Sequence, residues 1–147
     1  MRRYYIYIIG IVLLLAGCDM ETSDNGDLDG LWVMQSMEYG PAGWARTDLH
    51  TSGLTWSFQG HILELRDVNK VHQDIAASFE HEGDNLTVHD FYFVDRDEGD
   101  RVVEDDYTYL LPYGVPSNIL VTFKIVELTS ARMKLESATT RLEFRKY

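Results

Sequence analysis

The sequence predicts an all-β fold: an antiparallel, up-and-down barrel of eight strands, set behind a signal peptide and a flexible acidic tether. Two observations predict the barrel. From Gly30 onward apolar and polar residues alternate with period two, and no stretch keeps a 3.6-residue apolar period. Short turn signals separate the runs, which favours antiparallel neighbours, and eight strands suffice to close on themselves and remove exposed edges. A third observation predicts the leader: Arg2 and Arg3 precede an uncharged apolar run over residues 4–17 that ends in small residues.

The domain organisation follows as residues 1–17 signal peptide, 18–29 tether and 30–147 barrel. A chain of 147 residues has the length of one domain, and 45% hydrophobic with 12% aromatic residues is too rich for intrinsic disorder. A formal charge of −11, with 24 acidic against 13 basic residues, excludes nucleic acid as a partner, because phosphate binding requires a basic surface that releases counterions. As a helix the 14 apolar residues of the leader span about 21 Å, short of the roughly 30 Å hydrocarbon core, so the segment reads as a processed signal and not a permanent span.

Leu15-Ala16-Gly17-Cys18 resembles the bacterial lipobox, in which the signal is cut before the cysteine and the thiol receives diacylglycerol. The resemblance implies that Cys18, the single cysteine, is a lipidation site, that a lipid bilayer is a partner, and that no thiol remains for redox or catalytic chemistry. Removal of Arg2 and Arg3 with the signal takes the formal charge from −11 to −13. Asp19, Glu21, Asp24, Asp27 and Asp29 then form an acidic spacer without a basic residue, which at 3.3–3.6 Å per residue reaches about 36–40 Å. Acidic residues after the lipidated cysteine resemble surface-export signals of some Gram-negative lipoproteins, and Asp beside the cysteine resembles an inner-membrane retention signal in others. The expected location is the cell envelope, at the outer membrane or cell surface in preference to the inner membrane.

The eight strands are expected at 31–39, 54–59, 61–66, 74–81, 86–93, 119–128, 132–137 and 141–146. Leu54, Trp56 and Phe58 alternate with polar residues, Gly60 turns the chain into Ile62, Leu63, Glu64 and Leu65, and Glu82-Gly83-Asp84-Asn85 makes another turn. Residues 119–128 are β-branched and apolar on both faces, so this strand is expected to be the most buried.

Gly30-Leu31-Trp32 resembles the Gly-x-Trp that opens the first strand of lipocalins. The resemblance implies that Gly30 and Trp32 belong to a plug at the closed end of the barrel, with Arg141 or Arg145 of the last strand packed over the indole. More closely, the chain resembles, from about Asp29 to Tyr147, the compact lipocalin-like domains of lipoproteins from Gram-negative anaerobes, whose function is mostly unassigned. An opening Gly-x-Trp, a Phe-containing second strand and a C-terminal trio of alternating strands carry that likeness. Two features depart from it: no C-terminal helix is evident, and residues 95–118 are long for a hairpin connection.

The inward alternators supply the candidate site. Trp56, Phe58, Leu65, Phe79, Phe91, Phe93 and Phe123 would line a cavity for a small hydrophobic ligand, or would fill the barrel completely. Residues 95–106 hold seven carboxylates, and calcium takes 6–8 oxygens, so Asp95, Asp97, Asp100 and Asp106 are the ligands to test. The spacing fails an EF-hand because Gly99 falls one position early, and a solvated loop without metal is the expectation. The five histidines lie eight to eleven residues apart, with no short pair to place two imidazoles on one face. No nucleophile elbow, phosphate loop or dinucleotide fingerprint is present, so neither an enzymatic activity nor a cofactor is expected. Two functions remain: a lipid-anchored module binding a small hydrophobic ligand, or a non-catalytic structural or interaction module with a filled barrel docking on another envelope protein. For the second, residues 119–147, with six basic and three acidic residues, form the less negative face.

Overall fold

The alternating segments pair in chain order and close. In the computed structural model, which describes residues 24–104 and 106–147, the strands are β1 (Gly30–Tyr39), β2 (Ala45–Asp48), β3 (Leu54–Gln59), β4 (Ile62–Asp67), β5 (Ile75–Glu82), β6 (Asn85–Phe93), β7 (Arg101–Val102), β8 (Leu120–Leu128), β9 (Arg132–Glu136) and β10 (Thr140–Lys146). Eight of them, β1-β3-β4-β5-β6-β8-β9-β10, form an antiparallel up-and-down barrel that β10 closes by pairing with β1. Cys18 and the signal peptide lie outside the described residues. Among those residues no helix is long and apolar enough to cross a membrane.

Register places the large apolar residues inside. Trp32 lies opposite Trp56 across β1–β3, Met34 opposite Phe144 across β1–β10, and Leu86 opposite Phe123 across β6–β8. Register shifts at Met34/Ser36, Ala76/Ser78 and Ile125/Glu127 supply the coiling a small barrel needs. β8 differs from its expectation. Val121, Phe123 and Ile125 face the core while Leu120, Lys124 and Val126 face water, so it is a one-sided strand and not a doubly buried one. In a closed antiparallel barrel each strand has only one core face, whatever its composition.

Two short strands were not expected. β2 pairs with β1 beyond the end of β3, and β7 pairs with the last residues of β6. Both are exposed along their whole length, so neither has an apolar alternation to betray it.

The two ends of the barrel are closed by different devices. At the end carrying the β3–β4 and β5–β6 turns, the tether ends earlier than expected. A 3-10 turn at Gly26–Leu28 buries Leu28 completely, and the Trp32 indole N–H donates to the Leu28 carbonyl at 2.7 Å. Asn25 Nδ2 donates to Gly60 O at 2.7 Å, so the chain is part of the barrel from Asn25, not from Gly30. At the opposite end the long connection after β6 turns inward. Val103, Leu110, Tyr113 and Val115 are buried, and 3-10 turns at Tyr107–Tyr109 and Leu111–Tyr113 carry the chain across the opening.

Candidate functional site

The interior is the first place to look for a site. Six of the seven cavity candidates come together there: Trp56 lies 6.1 Å from Phe58 and 5.7 Å from Phe123, ring to ring, and Phe58 lies 5.1 Å from Phe79. Leu65 and Phe91 complete the same core. These rings meet edge to face or tilted, the geometry their quadrupoles favour. Phe93 departs from the expectation. It is half-buried at the rim, 5.1 Å from the Tyr109 ring and under the Arg101 guanidinium at 5.7 Å.

Accessibility decides whether the rings line a space or fill one. The wall of any void wide enough for a water molecule presents surface that water can touch. Trp56, Leu65 and Phe123 present 0%, 0% and 0%, and Phe58, Phe79 and Phe91 present 1% each, so these six side chains are packed against one another and not around a cavity. Clefts lie on the outside instead. One of about 560 Å³ runs over the outer face of β3–β5, between Ser57, Glu64 and Ala76 below and Val94 and Asp100 above. Two more, of about 270 and 180 Å³, adjoin at the far end, where both touch Val71, His72 and Pro112.

The closed-end plug is assembled around Trp32, but its cation is not an arginine. Trp32 pairs with Lys146, whose Nζ lies 4.6 Å over the indole and donates to the carbonyls of Asp27, at 2.7 Å, and Asp29. Arg145 falls opposite Val33 with its side chain outward, and Arg141 falls at the other end of β10, 4.0 Å over the Trp44 ring. The β1–β10 register decides this, and sequence distance does not reveal it. Gly30, at φ +111°, completes the plug: a Cβ there would come within 3.1 Å of Lys146 Cε.

At the far end Tyr113 is the centre. Its ring is buried, its hydroxyl donates to Gln73 O at 2.8 Å, and its carbonyl accepts from Trp56 Nε1 at 3.2 Å. Thr140 Oγ1 donates to Gly114 O at 3.1 Å, and Gly114 packs so closely on Leu142 that a Cβ would lie 2.3 Å from Cδ2. Burial, then the carboxylates of Asp74 and Asp67, push the Tyr113 phenol well above its usual range. Asp67 is itself buried and accepts backbone N–H bonds from Asn69, Val71 and His72, at 2.8, 3.0 and 3.0 Å, which fixes the 67–74 loop beneath Tyr113. Burial works against ionisation of Asp74, yet the Lys70 ammonium, the Asp67 N–H and the Arg66 guanidinium together hold its carboxyl below the usual range. None of these far-end groups was singled out from the sequence. The apolar run Leu110-Leu111-Pro112-Tyr113, isolated in a long connection, was the signal available.

The acidic segment is more structured than a solvated loop. Arg101 and Val102 pair with β6, and Val103 is buried. Asp95 accepts N–H bonds from Asp97 and Glu98, and Asp106 caps Thr108; these bonds hold both carboxyls below their usual range. Asp100 accepts from the Asp95 N–H at 3.4 Å. The carboxylates of Asp95, Asp100 and Asp106 serve turns, and among the described residues no three His, Cys, Asp or Glu side chains converge on a point that could hold a metal ion.

The family of lipocalin-like domains matches over residues 13–147. The chain belongs to that family. Its lipocalin-like domain is similar in fold to the crystal structure of a lipocalin-like protein from Bacteroides uniformis, with a TM-score of 0.60 and 20% identity, covering 83% of this chain and 100% of that one. It is also similar to an uncharacterized protein from Bacteroides eggerthii, with a TM-score of 0.56 and 20% identity over 82% of this chain and 99% of that one. No curated protein matches the sequence.

Proposed function

We propose that the protein is a lipid-anchored, non-catalytic module of the cell envelope, whose filled lipocalin-like barrel docks on another envelope protein through its outer surface. The observation that carries this reading is the packed interior: Trp56, Phe58, Leu65, Phe79, Phe91 and Phe123, which would line a cavity for a small hydrophobic ligand, are buried within one continuous core. A protein whose core offers no room works through its exterior. The lipobox resemblance at Cys18 supports the anchor, since acyl chains contribute about 0.8 kcal/mol per buried CH₂ and more than one chain holds a protein stably on a bilayer.

Native mass spectrometry of the mature protein tests the barrel, and fractionation tests the anchor. The expected mass is that of the lipidated chain alone, and Cys18→Ala is expected to leave the protein in the soluble fraction. A stoichiometric apolar molecule retained in the gas phase would overturn the docking reading. Unchanged membrane association of Cys18→Ala would overturn the anchor. One observation favours a second reading, the binding of a small hydrophobic ligand: the far end is closed by a non-strand segment, and its displacement would uncover Trp56. The retained molecule is the result that would establish it.

A further inference from the structure

We infer that the docking surface is the far end of the barrel, around Val68, Val71, Tyr107 and Tyr109, and that its occupant is a protein surface carrying basic and apolar side chains. The inference rests on the docking reading above and assigns it a place and a chemistry. Val68 and Val71 are 71% and 76% exposed, Tyr107 and Tyr109 are 45% and 47% exposed, and Val71 lines both adjoining clefts and Tyr109 one of them. An apolar rim of this kind, surrounding grooves, marks an interaction site.

Two occupants would suit such a rim, a bilayer or a protein, and the exit of the chain selects between them. Asn25 is tied to Gly60, and Asp27 and Asp29 to Lys146, all at the opposite end of the barrel. From Cys18 to Asn25 is seven residues, which reach at most about 23–25 Å. The nine residues of β6 span roughly 30 Å along the strand, and at a tilt of 35–45° roughly 21–24 Å along the barrel. An anchored barrel brings its far end to the bilayer only by stretching the tether fully along its own side, at a large cost in chain entropy. The rim therefore faces away from the membrane that holds it.

Charge specifies the partner. The segment 95–106 carries seven carboxylates against Arg96 and Arg101. At the rim itself Asp95 lines a cleft with Lys70 and His72, and Asp106 caps the turn that carries Tyr107 and Tyr109. Lys70 and Arg66 are taken up by Asp74. The less negative face expected at 119–147 does not compete: Arg132 and Lys134 pair with Glu127, Lys134 also with Glu143, and Arg141 with Glu38 and Glu136. A basic partner surface is steered to the far end and not to that face.

Site-specific photo-cross-linking of the full chain in producing cells tests the assignment, with benzoylphenylalanine in place of Val71, of His61 at the closed end, or of Thr122 on the barrel wall. The expected result is a discrete protein adduct from position 71 alone. Its yield should fall about tenfold in the D97N/E98Q/E104Q variant, at about two- to fivefold per exposed pair, with the circular dichroism and melting temperature unchanged. Lipid adducts from position 71 would make the bilayer the occupant and overturn the inference, as would a yield unmoved by the charge variant. Protein adducts from position 61 or 122 with position 71 silent would leave docking standing and overturn the far-end assignment. No protein adduct from any of the three would overturn the docking reading together with the inference.

Discussion

The closed end and the far end of this barrel solve one problem, an opening that would expose the aromatic core, with parts of different origin. At the closed end the cover is made by the two termini of the domain: residues 25–29 come in from one side, Lys146 from the other, and Trp32 of β1 accepts both. At the far end the cover comes from the connection between β7 and β8, where Val103 and residues 106–115 are held by Tyr113 and Gly114. The difference teaches where cooperativity lies. Loss of the first cover unpairs strands that close the barrel, whereas loss of the second opens a local segment whose backbone hydrogen bonds run mostly within itself.

Four substitutions break or sharpen that contrast. The largest effect is expected from Trp32→Ala, which removes a fully buried indole and the donor to the Leu28 carbonyl; denaturant unfolding should show a loss of about 3–5 kcal/mol. A loss under about 1 kcal/mol would mean that the closed end is not part of the cooperative unit. Gly114→Ala comes next. Its Cβ would collide with Leu142 at a backbone conformation of φ +77°, and a loss of about 2–3 kcal/mol is expected. Amide exchange should accelerate at 107–115 and at the start of β10 while residues 25–33 keep their protection. Uniform acceleration over the whole barrel would erase the distinction between the ends.

Lys146→Met is expected to cost about 1 kcal/mol, because the donor to two carbonyls is lost while the alkyl stem still covers the indole. Exchange at residues 25–31 reports it, and faster exchange at 107–115 instead would be the contrary result. Tyr113→Phe is the mildest at neutral pH, below about 1 kcal/mol, and its signature is a pH profile. The phenol ionises at 10.0 in the unfolded chain and higher in the folded one. Below pH 10 both states hold the proton and pH has no leverage. Above it the unfolded state gives up its proton first, so stability falls as pH rises. The difference between wild-type and Tyr113→Phe melting temperatures should therefore change only on the alkaline side. A parallel pair of curves up to pH 12 would show that the hydroxyl is not held as buried as the geometry has it.

Much of the fold was legible because alternation reports burial directly. Leu54, Trp56 and Phe58, then Leu63 and Leu65, then Phe79 and Phe123, read from the sequence as inward residues and are inward. β2 and β7 were not legible, since an exposed strand pairs through its backbone and leaves no side-chain period. Phe93 read as interior, but the register shift between β5 and β6 and the positive φ of Asp90 place it at the rim. Of the closed-end plug, Gly30 and Trp32 were legible as a pair, and the cation over them was not. Arg141, Arg145 and Lys146 differ by one to five positions, and only the pairing of β1 with β10 says which lies over residue 32.

By itself the sequence determined that this chain is a closed all-β barrel with an aromatic interior, because a period of two with short turns admits few other ways to bury Trp32, Trp56 and five of the six phenylalanines. The tertiary structure alone decided that the interior is full, that the chain joins the barrel at Asn25, and that an apolar rim stands at the end away from that junction. The physical reason is one of range. Alternation is a property of neighbouring residues, while packing density, the choice of Lys146 over Arg145 and the turn of residues 106–115 into the far opening depend on which distant strands meet and in what register.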